Sequence, residues 1–247
     1  MMPDAILLCG GAGLRLRSVT GDDAPKAMAS VAGRPFMELL LLQLKRHGVS
    51  RVILSVGYQQ HVIRNHFGEK AFGLELLYSS ESSPLGTGGA LRQAANLVTT
   101  DSALVMNGDS YTDLDLGRLA LTHLKDKADL TVTVVAGTQS DAGSVLLDDQ
   151  GRITAFAEKR FVQSAHYRSA GIYMLSKHLL AGISHGLQIS LEQQLFPAWI
   201  EEGRTIRGFI HVGTCIDIGT PERYQGAQAI LANVEAKGSA TRSEGQP

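Results

Sequence analysis

A buried strand that runs directly into a glycine-rich loop is the feature that most constrains how this chain folds. Apolar residues fill Ala5–Cys9, and Gly10, Gly11 and Gly13 follow at once. Glycine is frequent overall, at 27 of 247 residues or about 11%, against an average of about 7%. Ligands of open α/β sheets bind at the carboxyl ends of the strands, where glycines let backbone N–H groups approach a phosphate. The segment therefore predicts an anion site at the end of the first strand of an α/β sheet.

Short apolar runs alternate with helical patterns over the first half of the chain, which is typical of parallel βαβ units. Beyond about residue 128, strands follow one another through short connections, which indicates antiparallel pairing. We therefore expect one domain over residues 1–237 with a mixed, mostly parallel sheet flanked by helices. The predicted elements are strands at Ala5–Cys9, Arg51–Val56, Leu74–Ser79, Ala103–Asn107, Leu130–Ala136, Val145–Asp148, Ile153–Glu158 and Ser169–Leu175, a last strand ending at Asp217, and helices at Pro35–His47, Gln59–Phe67, about 86–96, 190–199 and 220–234.

Charge, hydropathy and cysteine content exclude several classes of protein. The formal net charge is -1, and this near-neutral balance gives no basic surface for nucleic acid or anionic membrane. No run of 18 apolar residues is present, and the first residues lack the features of a signal peptide, so we expect a cytoplasmic protein. The two cysteines, Cys9 and Cys215, cannot form a disulfide framework, and we expect both to be small buried apolar residues. Residues 238–247 hold few apolar side chains and are predicted to be a disordered tail.

Three known phosphate-binding loops compete for the glycine-rich segment. The Walker A loop requires Gly-Lys-Ser/Thr, which is absent. The dinucleotide fingerprint would begin at Gly11 but meets Leu16 where its last glycine belongs, so a dinucleotide-dependent oxidoreductase is disfavoured. The third pattern is Gly-Gly-x-Gly-x-Arg-Leu, followed about ten residues later by Pro25-Lys26.

This third pattern resembles the sugar-1-phosphate nucleotidyltransferases, and the resemblance extends from Ile6 to about Leu231. Leu14 stands where that family usually has Thr or Ser, and Ala27 stands where it usually has Pro. The further motifs that carry the resemblance are Gly57-Tyr58, Pro84-Leu-Gly-Thr-Gly-Gly-Ala90, Asn107-Gly-Asp109, Glu158-Lys159, Ser169-Ala-Gly-Ile-Tyr173 and Asp217-Ile-Gly-Thr-Pro221. The resemblance implies the Rossmann-like nucleotide-diphospho-sugar transferase fold, with a nucleotide-binding half over about residues 1–128 and a sugar-binding half over about 129–237.

The implied reaction joins a nucleoside triphosphate to a sugar 1-phosphate and releases pyrophosphate. The motifs are most similar to those of guanylyltransferases that act on D-glycero-α-D-manno-heptose 1-phosphate, and next to those that act on mannose 1-phosphate. GTP and a sugar 1-phosphate are therefore the expected substrates, without nucleic acid or membrane as a partner, and a homodimer is left open. Two alternatives also stay open: uridylyl or thymidylyl transfer on the same fold, and a non-catalytic nucleotide-sugar-binding relative, which Leu14 and Ala27 motivate.

The resemblance assigns roles to individual residues. Arg15 and Lys26 are the expected catalytic cations, and Glu158 and Lys159 are expected to hold the hydroxyls and the phosphate of the sugar. The other expected nucleotide-binding residues are Leu8, Gly10, Gly11, Gly13, Glu81, Pro84, Gly86, Thr87, Asn107 and Gly108. The other expected sugar-binding residues are Gly143, Ser169 and Tyr173.

Asp109 and Asp217 are the predicted ligands of a Mg²⁺ ion. Each ends an apolar run and has a glycine nearby, and parallel strands bring their carboxyl ends together at one cleft. Mg²⁺ typically takes one or two protein carboxylates together with phosphates and water. The competing interpretations are a turn cap for Asp109 and an ion pair with a neighbouring arginine for Asp217.

Glu81 is the candidate for reading the base. It precedes Pro84 by three residues, where relatives that use uracil or thymine carry Gln. The N1–H and N2–H₂ groups of guanine are two adjacent donors, which a carboxylate accepts together and a glutamine amide does not. The competing interpretation is a solvated loop acid.

Overall fold

The computed structural model describes residues 1–21, 24–137, 143–158 and 165–231. Its strands are β1 (Asp4–Leu8), β2 (Ser30–Val31), β3 (Arg34–Pro35), β4 (Arg51–Val56), β5 (Lys70–Ala71), β6 (Leu74–Ser80), β7 (Ser102–Asn107), β8 (Ser110–Thr112), β9 (Leu130–Ala136), β10 (Ser144–Leu147), β11 (Ile153–Ala157), β12 (Tyr167–Ser176), β13 (Ile206–His211) and β14 (Cys215–Asp217). Its helices are α1 (Arg17–Thr20), α2 (Phe36–Arg46), α3 (Gln60–Phe67), α4 (Gly86–Ala94), α5 (Leu116–Lys125), α6 (Lys177–Ala181), α7 (Phe196–Glu201) and α8 (221–231), with single 3₁₀ turns at Lys26–Met28 and Ala95–Leu97 and a π-helical turn at Leu191–Leu195.

Four parallel strands form the centre of the main sheet, in the order β7-β1-β4-β6. Their side chains are apolar on both faces, because helices cover the sheet on both sides. In β1, Leu7 belongs to the same apolar core as Phe36 of α2, whereas Ile6 belongs to the core on the other face, with Leu91 of α4. The parallel centre of the sheet is therefore built from the alternating strands and helices that the sequence predicts.

The second half extends the sheet through antiparallel pairs. β12 lies between β7 and β9, and its first residues also pair with β10, which pairs with β11. The register of β12 against β9 shifts between Ser169 and Tyr173, where Gly171 has a φ of 72°. A Cβ on Gly171 would lie 2.8 Å from Nδ2 of Asn107, so only glycine lets this bulge approach the end of β7.

The prediction that a parallel strand carries Asp217 is wrong. The last apolar run divides into two strands: β13 pairs with β9 in the main sheet, whereas β14 leaves that sheet and pairs antiparallel with β8. In that ribbon Asp217 lies opposite Ser110, and the N–H of Ile218 donates to the carbonyl of Asp109. The two aspartates therefore meet through a separate two-stranded ribbon.

The predicted fold class, a Rossmann-like mixed sheet flanked by helices, is confirmed, with its parallel pairs at the centre and antiparallel pairs in the second half. Helix and strand boundaries differ from the predicted ones by a few residues. In the described part of the chain, no helix is long and apolar enough to cross a lipid bilayer. Residues 238–247 lie outside the described residues, and the division into two functional halves stays a prediction.

The turn into α4 generates a prediction about stability. Gly86 has a φ of 68°, and a Cβ there would lie 2.6 Å from the carbonyl oxygen of Ile189. Gly186 has a φ of 71° with open space around it. We expect Gly186→Ala to lower the free energy of unfolding by about 1–2 kcal/mol through backbone strain alone. Gly86→Ala should cost about 1–3 kcal/mol more because the methyl group overlaps the backbone of another segment.

Urea denaturation of both variants and the wild type measures this difference. Equal losses in the two variants would show that the contact between Gly86 and Ile189 is not tight.

Candidate active site

A cavity of about 620 Å³ lies at the carboxyl ends of β1, β4 and β6, and we name it the glycine cavity. It is formed where the glycine loop after β1, the turn after β4 and the turn into α4 converge. Seven of the expected nucleotide-binding residues line it: Leu8, Gly10, Gly11, Glu81, Pro84, Gly86 and Thr87. Tyr58 also lines this cavity, and the guanidinium of Arg17 lies 4.9 Å from the centre of its ring.

Close backbone contacts explain why glycines surround this cavity. A Cβ on Gly57 would lie 3.1 Å from the carbonyl oxygen of Gly10, and a Cβ on Gly10 would lie 2.6 Å from Oε1 of Glu81. The other carboxylate oxygen of Glu81, Oε2, accepts a hydrogen bond of 2.9 Å from the N–H of Leu85. Burial raises the pKa of Glu81, and the Leu85 N–H opposes this by lowering it. One carboxylate oxygen of Glu81 is thus held by the backbone of Leu85, just before α4, and the other lies beside the backbone of Gly10.

Three expected nucleotide-binding residues lie elsewhere. Gly13 packs against Lys26, since a Cβ on Gly13 would lie 2.8 Å from Cβ of Lys26. The N–H of Gly108 donates to the carbonyl of Leu8, in space too tight for a side chain. Asn107 lines a second cavity. Gly13 and Gly108 therefore allow close backbone packing around the site and do not line the glycine cavity.

The second cavity, of about 320 Å³, lies where β7, β12 and the β8–β14 ribbon meet, and we name it the carboxylate cavity. Thr87 lines both cavities, so they adjoin at the first turn of α4. The expected site residues that line the carboxylate cavity are Arg15, Thr87, Asn107, Asp109, Gly143, Glu158, Ser169, Tyr173 and Asp217. Lys159, the remaining expected sugar-binding residue, lies outside the described residues.

Lys26 and Asp109 form an ion pair between the end of the glycine-rich segment and the end of β7. Nζ of Lys26 donates to Oδ2 of Asp109 at 2.5 Å, and the hydroxyl of Ser110 donates to Oδ1 at 3.1 Å. Burial acts to raise the pKa of Asp109, but the charge and hydrogen bond of Lys26, with help from Ser110, hold it below its usual value. The carboxylate is therefore charged, and about a third of the side chain of Asp109 stays exposed.

Asp217 is paired with an arginine, as its competing interpretation anticipated. Nη1 of Arg223 donates to both of its carboxylate oxygens at 2.7 and 2.8 Å, and the N–H of Gly219 donates to Oδ1 at 2.8 Å. A Cβ on Gly219 would lie 3.6 Å from Nζ of Lys26 and 3.8 Å from Nη2 of Arg15. The absence of a side chain at Gly219 thus leaves room for Asp217, Lys26 and Arg15 beside the carboxylate cavity.

Tyr173 also lines this cavity. Its hydroxyl lies 3.2 Å from Oγ of Ser169 and 3.5 Å from Oε1 of Glu192. Burial, followed by the negative charge of Glu192, raises the pKa of Tyr173 well above its usual value, so the phenol is neutral. Gly143 lies beside Glu158, because a Cβ on Gly143 would be 2.9 Å from Oε2 of that glutamate.

Several lining residues escaped the sequence analysis, namely Arg168, Glu192, Gln193, Cys215 and Arg223. Ser190 caps the π-helical turn by accepting from the N–H of Gln193, as its spacing predicts, but that pattern gave no sign that Glu192 faces a cavity. The prediction that Cys215 is buried is wrong: it is partly exposed on β14, whereas Cys9 is buried as predicted. The ribbon explains the difference, because β14 has a cavity on one side instead of a helix.

The two aspartates are the residues that fit a divalent cation. The described ranges contain no cluster of three or more His, Cys, Asp or Glu side chains arranged around a metal position. Mg²⁺ needs only one or two protein carboxylates when phosphates and water supply its other ligands. Asp109 and Asp217 satisfy that requirement in type and number.

A glycine loop at the end of a central parallel strand, beside a cavity with paired carboxylates and cations, defines an α/β protein built to bind a nucleotide next to a second anion. The chain belongs to the nucleotidyl transferase family, which matches residues 4–234.

The relatives include sugar-1-phosphate guanylyltransferases. The chain is 33% identical to D-glycero-alpha-D-manno-heptose 1-phosphate guanylyltransferase from Aneurinibacillus thermoaerophilus, over 92% of this chain and 98% of the relative. It is 36% identical to mannose-1-phosphate guanylyltransferase from Mycobacterium tuberculosis, over 97% of this chain and 67% of the relative. The crystal structure of HddC from Yersinia pseudotuberculosis complexed with GMP-PN aligns with a TM-score of 0.80 and 30% identity, over 93% of this chain and all of HddC. The family resemblance found in the sequence is thereby confirmed.

The unequal environments of the two cysteines generate a prediction. Burial and then the negative charge of Asp109 raise the pKa of the Cys9 thiol far above its usual range, so this thiol stays protonated and unreactive. Cys215 is partly exposed to the carboxylate cavity. In the native protein at about pH 8, we expect a disulfide reagent such as DTNB to modify one thiol per chain, and both thiols after unfolding.

The Cys215→Ser variant identifies the reactive residue. It should lose the native-state reaction and retain the reaction seen after unfolding. A native-state reaction that persists in Cys215→Ser would place Cys9 within reach of solvent.

Proposed function

We propose that the protein transfers a guanylyl group from GTP to a sugar 1-phosphate, forming a GDP-sugar and pyrophosphate. The observation that carries the proposal is the grouping of Arg15, Lys26, Asp109 and Asp217 near Gly219, a residue that lines the carboxylate cavity. The names of the relatives and the GMP-PN complex of HddC support GTP as the nucleotide.

In this reaction a phosphate oxygen of the sugar 1-phosphate bonds to the α-phosphorus, and the bond to the bridging oxygen of the β-phosphate breaks. The attacking phosphate is already anionic at neutral pH, so no general base is required. The barrier comes from bringing anions together and from the charge that develops on pyrophosphate. Arg15 and Lys26 are the side chains that would reduce this repulsion, because both lie beside Asp109 and Asp217.

A Mg²⁺ ion bound by Asp109 and Asp217 is part of the proposal. When bound, such an ion neutralises phosphate charge and orients the phosphates for in-line displacement. The two aspartates fit because they project into the cavity from the ends of neighbouring backbone segments, and both are exposed there in part. In the structure their charges are balanced by Lys26 and Arg223.

D-glycero-α-D-manno-heptose 1-phosphate is the proposed acceptor. Its support is the relative of that specificity, which aligns over nearly the whole of both chains. Mannose 1-phosphate is the second candidate, supported by the relative with 36% identity, of which the chain covers 67%.

Pyrophosphate release tests the function directly. The purified protein is assayed with each of the four nucleoside triphosphates against heptose, mannose and glucose 1-phosphates in Mg²⁺. We expect GTP with the heptose 1-phosphate to give the highest kcat/KM, and EDTA to abolish turnover.

The inactive control is Asp109→Asn, which should reduce kcat by at least ~10²-fold because it removes a charged group from the phosphate end of the cavity. Absence of pyrophosphate with every substrate pair would favour the alternative of a non-catalytic binding protein. Full activity in EDTA would remove Mg²⁺ from the proposal.

Glu81 generates a prediction about base selection. Its carboxylate lines the glycine cavity, and one oxygen is engaged by Leu85. Glu81→Gln should lower kcat/KM for GTP relative to UTP by about 5- to 150-fold, which corresponds to roughly 1–3 kcal/mol for a bidentate base contact. Glu75→Gln is the matched control, since Glu75 lies on β6, the strand that Glu81 follows, and has an exposed side chain. If Glu81→Gln keeps the wild-type order of the four nucleotides, Glu81 does not read the base.

A further inference from the structure

We infer that Glu192 is a specificity-determining residue that accepts a hydrogen bond from a ring hydroxyl of the sugar. The inference rests on the proposed function and extends it to a residue of the carboxylate cavity that the sequence motifs did not mark. Glu192 lies in the π-helical turn that Ser190 caps, and its side chain lines that cavity.

One oxygen of the Glu192 carboxylate is fixed by the nucleotide side of the site. Oγ1 of Thr87 donates to Oε2 at 2.7 Å, and Oγ1 itself accepts from the N–H of Leu191 at 2.8 Å. The hydroxyl of Ser190 contributes a longer contact of 3.4 Å to the same oxygen. The first turn of α4 therefore orients this carboxylate before any sugar arrives.

The other oxygen is held much less firmly. Oε1 has the Tyr173 hydroxyl at 3.5 Å, at the outer limit for an O–H donor, whose ordinary distance is about 2.7–2.8 Å. A carboxylate oxygen has the capacity for more than one donor. Oε1 is thus an oriented, charged acceptor inside a cavity, with the capacity to take a stronger donor than the one beside it.

The layout of the cavity indicates what that donor is. Glu158, the residue that the family resemblance assigns to the sugar hydroxyls, lines the same cavity as Glu192. The negative charges of Glu192, Glu158 and Asp109 all act on the Tyr173 hydroxyl, which lies 3.5 Å from Oε1 of Glu192. Uncharged hydroxyl groups suit these carboxylates, because each hydroxyl donates a hydrogen bond to one of them, whereas a phosphate beside them would be repelled.

The test is a kinetic comparison of the full-length wild type with Glu192→Gln, using the active sugar 1-phosphate and its monodeoxy analogues. A charge-assisted hydrogen bond is about twice as strong as a neutral one, so kcat/KM for the sugar phosphate should fall about 5- to 10-fold. KM for GTP should change less than about twofold. For one deoxy analogue alone, the variant and the wild type should have nearly equal kcat/KM, because that analogue lacks the hydroxyl that Glu192 binds.

The matched control is Glu201→Gln, which makes the same change on an exposed side chain at the end of α7 and should leave the kinetics unchanged. A loss in Glu192→Gln that is equal for the parent sugar and every deoxy analogue would overturn the inference. A rise in KM for GTP as large as the effect on the sugar phosphate would also overturn it, since Glu192 would then act only by holding Thr87 in position.

A second variant decides the question if Glu192→Gln does not fold. Tyr173→Phe removes the hydroxyl beside Oε1 and keeps the ring that packs 5.3 Å from Phe196. In Tyr173→Phe, the loss of kcat/KM on removing that one ring hydroxyl from the sugar should differ from the loss in the wild type. A change in kcat/KM that is equal for all analogues would contradict the inference. Lack of pyrophosphate release by the wild type would instead contradict the proposed function.

Discussion

The ion pair between Lys26 and Asp109 is the interaction on which the arrangement of the site depends. It joins the end of the glycine-rich segment to the end of a central strand, 83 residues further along the chain, with only 14% of the lysine side chain exposed. Taking either charge out of water alone is costly, and removing one partner leaves the other uncompensated. The pair therefore fixes the loop over the sheet, and Asp217 joins it through the pairing of β14 with β8.

The two cavities differ in charge and share one wall residue, Thr87. The glycine cavity has little charge besides Glu81, whereas the lining of the carboxylate cavity includes arginines, aspartates and glutamates. Thr87 belongs to both walls and bonds directly to Glu192. A single turn of helix thus sets the position of groups in both cavities.

Much of the fold was predictable because local sequence patterns reflect burial. The central strands are buried on both faces and so appear as unbroken apolar runs, and the helices between them show one apolar face. The prediction of one last strand ending at Asp217 was wrong because an apolar run does not show which sheet it joins. Residues 206–217 contain two short strands that enter different sheets, and the choice between those sheets depends on partners more than 70 residues away.

Local sequence patterns establish the class of site, because they show which strand ends carry glycines, which carry aspartates, and that cations accompany them. Which of those residues face a common space depends on how distant segments pack together. Gly13 and Gly108 turned out to shape the backbone, while Glu192 and Arg223 entered the carboxylate cavity without any motif to mark them. The physical reason is that a motif records local backbone requirements, whereas a cavity wall is built from segments that meet only when the sheet, the ribbon and the capped turn pack together.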